Sequence, residues 1–352
     1  MNGTLPQAKR SYSGPAGERD DTDADAGQEL RNRTNNVHGG NRPGSKCGNQ
    51  RVAAPEGPLG QAGEADERLC SFQSAAMVVP NWLRIIFLVL TFASFVPQLH
   101  RLWARRDSTG ISHYYVLASL IVATELFAIS FFLVVNNRFE GSDFFVHSPP
   151  NAGDIINLAQ LALVWVLWLN IFVTCLVYPS GSHISPRPRT TLSIYISFLL
   201  ISLVPLAVDL LANDPLEKDH RWPMAVFGYV HTSLINPLIP LVGVAALYFQ
   251  AREILAQPPG SGPAALSLIS LAAQAAVFAL LAVAWVGRVV FPWDTIGGPV
   301  DWGVVKVWYQ YAGFVAVDSF ISAVTQAIIL WLAVHYGLDG KSAGEAEPLL
   351  AN

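Results

Sequence analysis

Residues Phe95–Ser112 read FVPQLHRLWARRDSTGIS: an apolar helix end carrying Pro97 and Gln98, a basic loop, then Ser108, Gly110 and Ser112 opening the next apolar run. Working outward, seven apolar stretches lie near Val79–Leu102, Tyr114–Val135, Ile155–Tyr178, Thr190–Ala212, Met224–Gln250, Ala264–Val290 and Val304–Tyr336. Each is long enough to cross ~30 Å of hydrocarbon as a helix of roughly 20 residues. A bilayer interior offers no water to backbone groups, so only helices and closed barrels span it, and these runs are too long and continuous for barrel strands. Composition agrees: of 352 residues, 52% are hydrophobic and only 14% charged, with a mean hydropathy of +0.36, which sets the chain among polytopic membrane proteins. The expected class is therefore all-α with seven spans, and the lipid bilayer is the first partner.

The net charge of −4 implies no nucleic-acid partner. Cys47, Cys70 and Cys175 form no CxxC or His/Cys cluster, so neither a metal nor a cofactor is expected. No nucleophile triad or phosphate-binding glycine loop occurs, and an enzyme is not expected. Residues 1–76 are polar and Gly-rich without apolar periodicity, a composition that reads as a disordered tail. Its sequons at Asn2 and Asn32 would accept glycans, and Cys47 and Cys70 could pair, if the tail faces a lumen. No signal peptide precedes the first span, which then serves as the insertion signal, and Met77 offers a second start.

Charge placement orients the spans. The loops after spans one and three carry His100, Arg101, Arg105 and Arg106, then Arg187 and Arg189. The alternate loops carry Glu140, Asp143 and Asp154, then Asp214, Glu217 and Asp219, then Asp294 and Asp301. Basic loops belong in the cytosol, which puts the amino terminus in the lumen and the carboxyl terminus in the cytosol.

The Pro97-Gln98 pair, the basic loop and the Ser-x-Gly-x-Ser chemistry together resemble the PQ-loop signature. That signature marks the seven-helix PQ-loop proteins, which include cystinosin and the vacuolar cationic amino-acid exporters and, more distantly, the SWEET carriers and KDEL receptors. The resemblance implies two parallel triple-helix bundles joined by an inverting fourth helix, 3+1+3. The domains would be residues 77–178, a linker helix within 179–223, a second bundle at 224–336 and a tail at 337–352. Laying Gly262 on Gly110 without gaps puts Gln250 on Gln98, with Phe249 in place of Pro97 and Ala264 in place of Ser112. Pro237 and Pro240 lie further back in that span.

A proline removes a backbone donor and bends a membrane helix, so Pro97 is a hinge candidate, with Gln98 available to the carbonyls the bend frees. Gln250, Pro237 and Pro240 are the corresponding hinge and gate candidates in the second copy. Static kinks are the plainer reading of the same prolines. Intramembrane carboxyls are costly and usually face a cavity or a partner. Glu125 and Asp318 are two such groups, and burial favours the neutral form that carries a proton. Each could instead be a carboxylic acid bonded to a neighbouring helix. His231, Asn236, Gln160 and Gln274 lie at similar depths and complete a polar set. Asp209 and Arg288, near helix ends, are expected to snorkel.

Glu345, Leu349 and Leu350 resemble an acidic dileucine sorting signal read by adaptor complexes on cytosolic tails. With the family resemblance, this implies a vacuolar or lysosomal carrier that exports a small polar solute, an amino acid, from an acidic organelle by proton-coupled alternating access. The alternative is a non-transporting protein of the same fold, a sorting receptor or a regulator of lipid asymmetry.

Overall fold

The computed structural model describes residues 79–136, 145–147, 149–178, 188–211, 221–257, 265–289, 291 and 302–346. Among these the chain is helical, with seven helices long and apolar enough to cross a membrane. They are α1 (Asn81–Arg105), α2 (His113–Asn136), α3 (Ala152–Val177), α4 (Pro188–Leu211), α5 (Trp222–Leu255), α6 (Leu268–Arg288) and α7 (Trp302–Tyr336). The helix of α7 runs on to Ala346. These seven apolar helices mark a multi-pass integral membrane protein. The expected spans are recovered within a few residues, except that α6 begins at Leu268 rather than Ala264 and α5 ends at Leu255 rather than Gln250. The amino-terminal tail with Cys47 and Cys70, and Leu349 and Leu350 of the sorting-type signal, lie outside the described residues. Glu345 falls in the last turn of the α7 helix.

Helix starts and stops follow local chemistry. Asn151 and Asp154 form a reciprocal capping box at the start of α3, each side chain accepting from the other's backbone N–H at 3.0 Å. Ser267 caps α6 through Ser270 N at 3.3 Å. α1 ends at Arg106, which adopts a left-handed conformation (φ 51°) and donates its N–H to the Leu102 carbonyl. Three spans contain a wider π turn: α2 at Phe132–Asn136, α5 at Val230–Ile235 and α7 at Tyr309–Gly313. In α5 a 3-10 turn, Asn236–Leu238, follows directly and carries Pro237, while Pro240 opens the next α segment.

α3 packs against both α1 and α2, and α7 packs against both α5 and α6. α1 meets α6, and α2 meets α5, across the middle of the molecule. α4 packs chiefly on α2 and leaves most of its apolar side chains, among them Leu200, Ile201 and Val208, on the outside. Such exposed apolar faces, also present on α1 through Ile85, Val89 and Phe92, are compatible with contact to lipid. Between lipid-facing helices, cohesion comes from close packing and interhelical hydrogen bonds rather than from exclusion of water. Phe95 sits at the crossing of α1, α3 and α6, edge-on to Trp168 at 5.5 Å and to Phe278 at 6.3 Å. Trp168 in turn meets Tyr115 of α2 at 5.6 Å.

Candidate functional site: a glutamine lock, a central cavity and a buried acid cluster

At the end of the bundle carrying the α1–α2 and α5–α6 connections, two glutamines make mirror-image bonds. Gln98, on α1, donates from Nε2 to the Ala265 carbonyl (3.0 Å) and accepts from Ser267 N through Oε1 (2.7 Å). Gln250, on α5, donates to the Gly110 carbonyl (2.8 Å) and accepts from Ser112 N (2.9 Å). Each side chain thus saturates one carbonyl and one N–H, two residues apart, at the start of the helix opposite. The Ser267 and Ser112 N–H groups are ones that a helix start leaves without internal partners. Both glutamines are buried. The loops also touch directly, Ala265 N donating to the Thr109 carbonyl (3.1 Å). Gly110 turns with φ 88°, a conformation that favours glycine. Ser108 Oγ ties the first loop to the end of α3 through the Tyr178 carbonyl (2.8 Å).

Two expectations are corrected by this geometry. Gln98 does not serve the carbonyls of its own span; it reaches across to α6. The ungapped repeat is also off by three residues in its second part. Gln250 lies 152 positions after Gln98, but the residues the glutamines hold, Ala265 and Ser267 against Gly110 and Ser112, are 155 apart. Ser267, not Ala264, therefore occupies the place of Ser112. The second loop is three residues longer, a length difference that costs little in closure entropy. Near Pro97, Ser270 Oγ donates to the Ser94 carbonyl (2.6 Å), and Gln274 donates to that same hydroxyl (3.1 Å). This puts Gln274 beside the lock, away from the acid cluster.

A cavity lies between α2, α3, α5, α6 and α7, with an empty volume of about 650 Å³ counting its open mouth. Asp318, Gln160, Gln326, Trp168 and Trp285 are in its wall. The Asp318 residue is 2% exposed, and its Oδ2 has no hydrogen-bond partner among the described residues. Gln326 and Tyr115 bridge α7 and α2, the phenol oxygen lying 2.8 Å from Nε2 and 3.1 Å from Oε1.

Glu125 is fully buried on α2, both carboxyl oxygens 2.9 Å from Nδ1 of His231 on α5. The His231 imidazole stacks on Phe227 at 4.1 Å. Asn236, just beyond the π turn of α5, receives the Tyr309 hydroxyl at its carbonyl (2.9 Å) from the π turn of α7. Glu125 and Asp318 lie within electrostatic reach of each other and of Tyr309. The two broken spans thus meet at the acid cluster. Wide turns of this kind recur at functional sites because they free backbone groups and re-aim side chains.

Arg288 departs furthest from expectation. Instead of snorkelling outward it is 6% exposed, its Nη1 donating to Gln160 Oε1 (2.7 Å) and Asn157 Oδ1 (3.2 Å). Its guanidinium carbon sits 4.8 Å from the Trp285 ring centre and 5.5 Å from that of Phe87. Gln160 in turn donates to Thr91 Oγ1 (3.3 Å). Arg84, 4% exposed, was likewise not singled out from sequence. Asp209 pairs with Asn136 of α2 (2.7 Å) instead of reaching outward. An arginine at a span end, as Arg288 is, gives no sequence signal of burial, because the direction it takes depends on helix rotation. No family model and no curated protein matches this sequence.

Proposed function

We propose that this chain is a PQ-loop-type carrier that moves a small polar solute, coupled to protons, across the membrane of an acidic organelle by alternating access. The observation that carries the reading is Asp318: a buried carboxyl with an unpartnered oxygen, in the wall of a cavity between helices, within electrostatic reach of the Glu125–His231 pair. A carboxyl in a low dielectric, without a fixed cation, can take up and release a proton as its surroundings open and close. Glu125, bonded to His231, supplies the second carboxyl whose charge state Asp318 senses.

The 3+1+3 arrangement is part of the proposal. Its support is the repeated order of contacts, α3 between α1 and α2, then α7 between α5 and α6, with α4 outside. The reciprocal glutamines add to it. In this reading the lock closes the cytosolic end, where Arg101, Arg105 and Arg106 gather, and its opening lets the two bundles part about Pro97 and the Pro237–Pro240 region. The loss of Pro97's counterpart at Phe249 speaks for the non-transporting alternative. Gln250 makes the same pair of bonds as Gln98, which favours a working gate in both halves. A lysosomal or vacuolar membrane fits the acidic dileucine-like Glu345, Leu349 and Leu350, and adaptor binding there is part of the same proposal.

The test is uptake by the full chain in liposomes under an imposed pH gradient, with a panel of amino acids and sugars. Asp318→Asn should abolish gradient-driven accumulation while leaving solute exchange measurable. Unchanged accumulation in Asp318→Asn overturns the coupling role, and absence of any movement across the panel overturns the carrier.

A further inference from the structure

Among the described residues, Arg288 is a buried cation with unsatisfied donors. Guanidinium groups stay charged and offer five N–H donors in a rigid fork. Only one nitrogen is satisfied: Nη1 is pinned to Asn157 and Gln160 of α3, while Nε and Nη2, both buried, have no acceptor among the described residues. These two nitrogens form one edge of the fork, the edge whose parallel N–H groups match the two oxygens of a carboxylate. Trp285 and Phe87 hold the plane of the group, so the edge is fixed before any ligand arrives. Leaving a buried cation and two donors unmet is costly.

Local charge makes the deficit larger. Arg84 is a second buried cation within electrostatic reach of Arg288. The carboxylate near Arg84 is Asp154, which already caps α3 and accepts from the backbone N–H groups of Asn151 and His147. Gln160 and Trp285, which touch Arg288, also line the cavity that holds Asp318. The position at the last residue of α6 offers a plainer role, a cation stabilised by helix-end carbonyls. That role leaves the free edge and the aromatic clamp unexplained.

We infer that the Nε/Nη2 edge of Arg288 is a carboxylate-binding site, set behind Gln160 and Trp285, which line the cavity. It rests on the carrier reading for its purpose: the transported solute bears a carboxylate, held by Arg288 in bidentate fashion, while Gln160 keeps the guanidinium in place. Neutral sugars would lack the group that the site is built to meet.

The experiment is thermal unfolding of the purified full chain in detergent. The probes are the proteinogenic amino acids and short mono- and dicarboxylates, each beside its amide, with glucose as a neutral control. At saturating concentration at least one carboxylate should raise the midpoint by about 2–4 °C, and its amide should not. Arg288→Lys, which keeps the charge but loses the fork, should weaken that response at least tenfold. Gln160→Glu gives Arg288 a carboxylate from within the protein; it should fold and lose the response, which keeps the test decisive if Arg288 variants do not fold. No response to any carboxylate, or a response undiminished in both Arg288→Lys and Gln160→Glu, overturns the site. Binding is read without transport. A chain that binds carboxylates but carries nothing would sink the carrier alone, and one that accumulates glucose while ignoring carboxylates would sink this inference alone.

Discussion

The two ends of the helical bundle are built on different rules. At the loop end, Gln98 and Gln250 repeat one another bond for bond, each holding a carbonyl and an N–H of the helix opposite. Among the described residues, Glu125 in the middle and Arg288 at the far end have no such counterpart. Carrying the spacings of the lock along the helices, 152 residues from α1 to α5 and 155 from α2 to α6, sets Leu280 against Glu125 and Leu133 against Arg288. On the proposed carrier reading, closing two halves against each other is a task both halves share, so one solution used twice suffices, whereas a small asymmetric solute and its coupled proton need different groups on different sides.

The largest effect should come from the unrepeated part. Glu125→Leu strips His231, 1% exposed, of its carboxyl partner and should cost about 3 kcal/mol of stability by thermal or denaturant unfolding in detergent. A cost under about 1 kcal/mol would mean that the pair is incidental to packing. Next come Gln98→Leu and Gln250→Leu, each orphaning a buried carbonyl and N–H. About 2 kcal/mol apiece is expected, and the two costs should agree within about 1 kcal/mol. A cost confined to Gln98→Leu would break the symmetry, leaving Gln250 as ornament to a one-sided gate. Their double variant should fall short of the sum, since the loops they hold are in contact.

Smaller effects sharpen the picture. Gly110→Ala forces a side chain into φ 88° and should cost about 1–2 kcal/mol, whereas Ala265→Gly, at the matching place in the other half where φ is not positive, should change stability by less than about 1 kcal/mol. A gain in stability from Ala265→Gly would show that the loops share a left-handed turn as well as a bonding pattern. Smallest is Asn136→Ala, which removes the link from α2 to Asp209 and the Leu206 carbonyl of α4. It should cost about 1 kcal/mol and leave the lock intact, as judged by unchanged hydrogen exchange at Ser112 and Ser267.

The seven spans were legible in the sequence for a simple reason: the length of an apolar run survives any rotation of the helices. Gln98 and Gln250 were also identifiable as a pair, because a repeated residue at a repeated place does not depend on knowing its partner. What they bond was not legible. The extra length of the second loop lies between Gln250 and Ala265, where nothing in the letters fixes a register. Arg288 was misread because a long side chain near a span end has two outcomes, outward to the headgroups or inward to a polar pocket. Only the neighbouring Asn157 and Gln160, 128 residues or more away in sequence, decide between them.

The π turns in α5 and α7 have one more consequence. A turn closed from residue i to i+5 holds one residue more than an α turn, and one residue is about 100° of helical phase. A wheel drawn for α5 from Trp222 therefore points the wrong way after Ile235, and one drawn for α7 from Trp302 does so after Gly313. Deleting one residue within Val230–Ile235 would remove the extra residue, with the 3-10 turn at Asn236–Leu238 still in place, and would turn His231 and Gln250 relative to each other. The acid cluster and the glutamine lock, which sit on the same span, can both face inward because the helix between them is out of phase with itself.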